Sequence, residues 1–479
     1  MKKEFILNSL ARLNMLFAGM MLFPFLVGII YKEPLRYLLD FFIPALIIFL
    51  SGYILYEKIE FKKTFNTKDA LTLVAICWLV YSIFGAIPLY LYPGDFNTFF
   101  DAFFESVAGF STTGATIARD VESLPNSIIF WRSFAQFIGG LGIISLTVSI
   151  LPKQSKKSTM IMKAESVGPT FGKITPKVAD QSKVLYTIYI SMTLITIILL
   201  SLGDLDLFDS IIYGLGAAGT GGFANRDLSV GYYNSTYTEI VLAIAMFMFS
   251  INFNIYYMAF FKRSKNFYKS EELKWYSVML ITSILLIFIN TFSMYEKLGR
   301  QLVDVVFAVT SISSTTGYVG SDTSTWPIFS RVILVGLMYV GGMAGSTAGG
   351  LKMSRLVLLV KSSVNQFRMM INPNRITVVE FEHKTVDDKL QQSVMSYFII
   401  HILIFFILLA IVAIDINNFL EAFTAVATTY NGLGQFGEAQ SFYELREASK
   451  FVLSIAMLLG RLEIYPLLLL FTPSTYKRI

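Results

Sequence analysis

One cysteine, two histidines and few charges are what this 479-residue chain is short of. Cys77 has no second cysteine to pair with, which excludes a disulfide scaffold. Cys77, His383 and His401 together cannot close a shell of nitrogen and sulfur ligands around zinc. Charged residues make up 15%, against about 25% in an ordinary soluble domain. A disordered chain would be rich in charge and poor in aromatics, whereas 15% of these residues are aromatic and 54% hydrophobic. With a mean hydropathy of +0.61, the composition is that of an integral membrane protein.

Also missing is any pairing of a nucleophile with a base or a metal at membrane depth, which argues against a membrane-embedded enzyme. No Walker or GxGxxG phosphate loop follows a strand pattern, and the glycine-rich GGMAGSTAGG lies inside an apolar run. No cofactor is expected in the chain. The net charge of +6 does not signal nucleic acid either, because the lysines and arginines recur in the connections between apolar runs instead of forming one patch.

A helix needs about 20 mostly apolar residues to cross a hydrocarbon core of about 30 Å. Such runs lie near 9–31, 39–56, 70–92, 127–150, 183–203, 237–260, 274–293, 328–361, 391–414 and 448–471, which predicts ten spans. Shorter apolar stretches near 99–110, 207–218, 302–313 and 419–430 end in small or polar residues and read as re-entrant segments. The basic segments 57–69, 152–183, 262–274 and 361–390 fall on one side of a ten-span topology. That side is expected to be the cytoplasm, with both termini, marked by Lys2-Lys3 and Lys477-Arg478. The first run is read as a retained span and not a cleaved signal, since 39–56 follows closely and needs it as a partner to return inside.

The short stretches are copies of one another. Asp101, Asp209, Asp304 and Glu421 each precede a glycine by 13 positions, namely Gly114, Gly222, Gly317 and Gly434. A long apolar run stands on either side of each copy, so the unit is span, short hairpin, span, taken four times. Unrelated turns have no reason to share one spacing. The acid is expected to cap a short helix whose negative end points into the membrane, where it would stabilise a cation. Non-helical backbone after that helix must be buried or line a water-filled path. Four such strands around an axis would present rings of carbonyl oxygens, which is how a dehydrated alkali cation is held.

Two further features lie at membrane depth. The run 328–361 is longer than one crossing needs, and five of its ten residues from Gly341 to Gly350 are glycine, which breaks the helix. The residues leave open whether this allows close helix packing or forms an intramembrane loop. Arg461 stands among leucine and isoleucine in the last span, where an ionisable residue marks either a function or a structural salt bridge. Glu463, two positions on, faces elsewhere on a helix. Asp120, Asp227, Asp322 and Glu438 follow the four glycines and are read as either cation-attracting or merely solvated loop charges. His401 is expected to be packed or hydrogen-bonded in its span, and His383 lies in a polar loop.

The segments GFSTTGAT (109–116), GGMAGSTAGGLKMSRL (341–356) and LLGRLEIYPLLLLF (458–471), with the four repeats and the two extra N-terminal runs, carry a family likeness over nearly the whole length. The chain resembles the superfamily of potassium transporters that includes the bacterial Trk and Ktr membrane subunits and the plant HKT proteins, and within it the TrkH/TrkG branch. The resemblance implies an all-α polytopic membrane protein of the bacterial inner membrane, with pore repeats at 70–152, 183–261, 274–361 and 391–472 in pseudo-fourfold arrangement after two N-terminal helices at 1–69. It implies a potassium filter formed by Thr112, Thr113 and Gly114, by Thr220, Gly221 and Gly222, by Thr315, Thr316 and Gly317, and by Gly432, Leu433 and Gly434. Glycine in all four repeats goes, in the family, with potassium selectivity. It further implies an intramembrane gate with Gly345, Ser346 and Thr347 at its middle and Arg461 against it. The expected partners are lipid, a second copy of the chain in a homodimer and a cytosolic nucleotide-binding regulatory subunit of TrkA type. The expected function is potassium uptake, with potassium as the substrate. A potassium symporter coupled to sodium or protons remains the alternative.

Overall fold

A computed structural model describes residues 3–59, 67–142, 178–261, 268–372, 378–434 and 442–473. The lysine-rich segment 152–177, Glu438, Lys2 and Lys477-Arg478 lie outside the described residues. Among the described residues, six helices are long and apolar enough to cross a membrane: Lys3–Ile30, Leu35–Lys58, Lys68–Leu91, Lys183–Ser201, Glu271–Asn290 and Asp388–Val412. The first two precede the repeats, and the other four are the opening helix of each repeat. Each opening helix leads to a pore helix, Phe99–Phe110, Leu207–Gly219, Leu298–Ser313 or Phe419–Asn431. At 12 to 16 residues, these are too short to span.

The closing helices of the four repeats are described in part for repeat 1, where 143–150 lie outside the described residues, and depart from the expectation of continuous spans in the other three. They run Asn126–Leu141, Thr236–Phe249, Ile328–Val340 and Glu447–Arg461. In repeat 2 the chain turns by 90° before a second helical piece ending at Phe261. Asn252 begins that piece by accepting the Asn254 N–H at 2.9 Å. In repeat 4, Glu463 and Ile464 adopt left-handed backbone angles before a short helix, Tyr465–Phe471. In repeat 3, residues 341–352 are non-helical, and the helix resumes over Met353–Ile371, ten residues past the expected end at 361. A run of apolar residues therefore does not guarantee one helix, because hydropathy counts burial and not backbone angle.

The repeats are joined in a cycle. The closing helix of repeat 1 packs on the pore helix of repeat 2, that of repeat 2 on pore helix 3, that of repeat 3 on pore helix 4, and that of repeat 4 on pore helix 1. Buried charges reinforce two of these joints. Lys450 of repeat 4 lies 2.6 Å from Asp101 of pore helix 1, and Glu239 of repeat 2 takes both Nη atoms of Arg300 in pore helix 3 at 2.6 and 2.8 Å. The N-terminal helices lie against repeat 1, where Glu33 accepts the Ser127 N–H at 2.9 Å at the start of its closing helix. The small hairpin Glu380–Phe381 with Lys384–Thr385 turns through Glu382 and His383. Both turn residues have positive φ, as a two-residue hairpin turn demands.

Candidate ion pathway

Each pore helix ends in the same way. The N–H of Thr113, Gly221, Thr316 and Leu433 donates to the carbonyl five residues back, Ala108, Gly216, Ser311 and Thr428, at 2.9 Å in every repeat. One residue earlier, Thr112, Thr220, Thr315 and Gly432 take left-handed angles, with φ of 57°, 54°, 56° and 73°. The 13-residue count thus brings divergent sequences into one backbone register.

The four glycines that follow have φ of 78°, 78°, 82° and 81°. A Cβ built on Gly114 would stand 1.8 Å from the carbonyl oxygen of Gly221, and one on Gly222 would stand 1.9 Å from that of Thr316. On Gly317 it would meet Leu433 O at 2.0 Å, and on Gly434 it would meet Thr113 O at 2.6 Å. The contacts run from repeat 1 to 2, 3, 4 and back to 1. The four strands therefore form a closed ring, in which each glycine leaves room for the carbonyl of the next strand.

The capping expectation needs correction. Asp101 does form a reciprocal capping box with Thr98, but Asp206 and Asn418 cap the pore helices of repeats 2 and 4. Asp304 stands two turns inside its helix, paired with Arg300 at 2.8 Å. Asp209 instead accepts from the side chains of Asn225 and Tyr233. The shared acid thus marks the register of the repeat, while its partners differ from copy to copy. Toward the mouth, Asp120 and Asp322 cap short 3₁₀ turns, and Asp227 accepts the Val121 N–H at 2.9 Å across repeats. Asp120 and Asp322 are thus engaged within their own turns, and Asp227 is engaged with the neighbouring repeat.

The non-helical segment 341–352 is seated against the base of the ring. Gly349 N–H donates to Thr315 Oγ1 at 2.6 Å and Gly350 N–H to the Asn431 carbonyl at 3.1 Å. The break in repeat 2 holds its other side: Met343 N–H donates to Ser250 O at 3.0 Å, Phe253 N–H donates to Gly345 O at 3.1 Å, and Thr347 Oγ1 donates to Phe249 O at 3.1 Å. Arg461 is buried and donates to the carbonyls of Thr347 at 2.7 Å, Gly139 at 2.6 Å and Gly140 at 2.9 Å. It thereby ties repeat 4 to repeats 1 and 3. Ser346 Oγ donates back to Met343 O at 2.6 Å, which tightens the turn. Glu463 pairs with Arg355 at 2.6 Å.

His401 is buried and stacked on Tyr430, with ring centres 4.4 Å apart. Its ring nitrogens have no hydrogen-bond partner among the described residues. Further buried polar residues surround the ring that the repeat spacing does not mark: Glu105 and Arg132, whose 2.7 Å ion pair is fully buried, and Lys450, Glu239, Gln136 and Glu272. A signal was present: ionisable residues inside apolar runs are as exceptional as Arg461, and Arg132, Glu239 and Lys450 sit in such runs.

The fold and the ring define a polytopic membrane protein built from four pore-loop repeats. The sequence profile of the TrkH family, described as cation transport proteins, matches residues 40–477, and the chain belongs to this family. It is similar to the Trk system potassium uptake protein TrkH of Halomonas elongata, with 31% identity over 486 residues and the full length of both chains covered. It is 33% identical over 473 residues to the Trk system potassium uptake protein TrkG of Escherichia coli, with 95% of each chain covered. Its structure is similar to the crystal structure of the potassium transporter TrkH from Vibrio parahaemolyticus, with a TM-score of 0.90, 28% identity and all of both chains covered.

Proposed function

We propose that this chain takes up potassium across the bacterial inner membrane through the ring formed by its four pore loops. The observation that carries the reading is the closed cycle of glycine-to-carbonyl contacts from Gly114 through Gly222, Gly317 and Gly434. Backbone oxygens held at fixed spacing replace the hydration shell of a monovalent cation. In this reading Thr112, Thr113 and Gly114, with Thr220, Gly221 and Gly222, Thr315, Thr316 and Gly317, and Gly432, Leu433 and Gly434, line the filter. The pore repeats are 70–152, 183–261, 274–361 and 391–472, after two N-terminal helices at 1–69.

The segment around Gly345, Ser346 and Thr347 acts as the gate, and Arg461 holds it closed. Its hydrogen bonds to the bases of pore helices 3 and 4 support a position below the filter. A fixed positive charge there opposes cation passage until it is displaced. The transported ion is substrate and not cofactor. Both termini face the cytoplasm, by the bias of lysine and arginine toward that side. The names of the relatives support a Trk-type assembly, which in this reading is a homodimer in lipid with a cytosolic nucleotide-binding subunit of TrkA type.

Growth of a potassium-uptake-deficient bacterium tests the reading, with Gly317→Ser as control. Rescue by the wild type and an altered ion preference in the variant are expected. Rescue that survives the substitution with unchanged preference overturns the filter assignment. In liposomes, potassium flux down its own gradient with no second ion present excludes obligatory coupling, whereas flux that requires a second ion identifies the coupled symporter.

A further inference from the structure

The ring is braced from behind in different ways in its first three repeats. In repeat 1, Ser111 and Thr113 share a hydroxyl hydrogen bond of 2.8 Å, and in repeat 3, Ser314 and Thr316 share one of 2.7 Å. These residues stand three and one positions before the ring glycine. Repeat 2 has Gly219 and Gly221 at the same positions, so it has no hydroxyls to pair. What fills the space is Gln136, from the closing helix of repeat 1. A Cβ on Gly221 would meet Gln136 Cδ at 2.3 Å and both Cγ and Nε2 at 2.6 Å. A Cβ on Gly219 would meet the backbone oxygen of Gln136 at 2.3 Å.

Gln136 does more than fill a gap. It is fully buried, and its Oε1 accepts the N–H of Phe223, the residue after the ring glycine of repeat 2, at 3.2 Å. The Nε2 lies 3.4 Å from the position of a Cβ on Gly114 and has no hydrogen-bond partner among the described residues. One side chain therefore reaches the backs of two adjacent filter strands. It holds one end of the strand whose Gly221 carbonyl packs against Gly114.

We infer that Gln136 is a positioning residue for ion selectivity: it takes the place of the absent side chain at Gly221 and fixes the second filter strand through Phe223. Gly221 does not have a positive φ, so its backbone angles are open to a side chain, and the three atoms nearest a built Cβ all belong to the Gln136 side chain. The assignment rests on the proposed role of the ring as a potassium filter. It adds a residue that never touches the ion but sets the spacing of the oxygens that do.

The experiment is competitive uptake of rubidium and sodium by reconstituted full-length protein, normalised to folded protein by size-exclusion chromatography. Gln136→Met keeps the bulk and loses the amide, and it lowers the rubidium-to-sodium ratio by about fivefold, as expected for one lost hydrogen bond. Gln136→Ala lowers the ratio further, and adding Gly221→Thr brings it back toward the wild-type value. Gly221→Thr alone disrupts uptake, because its Cβ collides with Gln136. Should the alanine variant fail to accumulate, the methionine variant decides the matter. A wild-type ratio in Gln136→Met, or normal uptake by Gly221→Thr alone, overturns the assignment. The two readings fail separately: an unchanged ion preference in Gly317→Ser removes the filter itself, whereas a changed preference there with no effect at Gln136 removes only this residue.

Discussion

Lys450 and Asp101 form a buried ion pair at 2.6 Å, and that pair joins the last repeat to the first. Their separation of 349 residues makes it a lock between the two ends of the repeat array. Asp101 also belongs to the capping box of pore helix 1, so the same carboxylate orients the helix and ties it to its neighbour. Phe100 and Phe103 contact Phe451 beside the pair, so the joint has an apolar flank.

Removal of one partner from such a pair leaves an unpaired charge out of water, at a cost of about 3–5 kcal/mol. Lys450→Met is therefore expected to lower the thermal unfolding midpoint in detergent markedly. Lys450→Met combined with Asp101→Asn is expected to recover much of the loss, since the stranded charge is gone. Equal midpoints for the single variant and the wild type would remove the pair from the stability of the ring.

Arg461 fastens the intramembrane segment through the carbonyl of Thr347 and reaches across to Gly139 and Gly140. Arg461→Ala is expected to raise flux in the resting state, because three charge-assisted hydrogen bonds and the positive charge are lost together. Arg461→Lys keeps the charge but cannot span three carbonyls with one ammonium in the same geometry, so it is expected to fall between the two. Flux through liposomes without any regulatory subunit reads this directly, and no gain in a folded alanine variant would take Arg461 out of the barrier.

Glu272 holds the opposite side of the same segment. Its Oε1 accepts the N–H of Ala344 at 2.8 Å and that of Ser354 at 3.0 Å, one within the segment and one just past it. Glu382 on the small hairpin in turn accepts from Ser270 Oγ and Glu272 N–H at 2.7 and 3.0 Å. Glu272→Ala leaves two buried N–H groups unsatisfied and is expected to loosen the segment and raise resting flux. Glu272→Gln retains a carbonyl acceptor and is expected to lie nearer the wild type. A resting flux in Glu272→Ala equal to that of the wild type, at normal protein level, would separate this carboxylate from gating.

Glycines in this chain do not all matter alike. Gly222→Ala forces a Cβ to within 1.9 Å of Thr316 O at a φ of 78°, so it is expected to abolish uptake. Gly336 lies in a helix, and beyond its chain neighbours and the backbone of that helix no atom comes within 4 Å of a built Cβ. Gly336→Ala is expected to leave transport intact and to stabilise the protein by about 0.5–1 kcal/mol, through helix propensity alone. Uptake assays on both variants test whether the ring glycines are special by geometry.

The class of the protein and its repeat were legible in the sequence, because both rest on local patterns. Hydropathy marks segments that leave water, and an acid spaced 13 residues from a glycine survives even where Thr220-Gly221-Gly222 and Gly432-Leu433-Gly434 share little else with the other copies. The break at 341–352 was visible because five glycines stand in ten residues. The breaks at Ser250–Asn252 and Leu462–Ile464 were not, since each is three residues long and holds neither glycine nor proline. Their cause is an Asn252 cap and two left-handed residues, which hydropathy does not register.

From the sequence alone came the membrane class, the fourfold unit and the identity of the ring glycines, since each is written in composition or in short-range spacing. Only the tertiary structure decided the order in which the repeats meet, the partners of Arg461, Glu272 and Lys450, and the place of Gln136 behind the second strand. Those relations join residues far apart in the chain, some by more than 300 positions. Hydrogen bonds and ion pairs depend on where side chains arrive in space, and no spacing along the chain encodes that arrival.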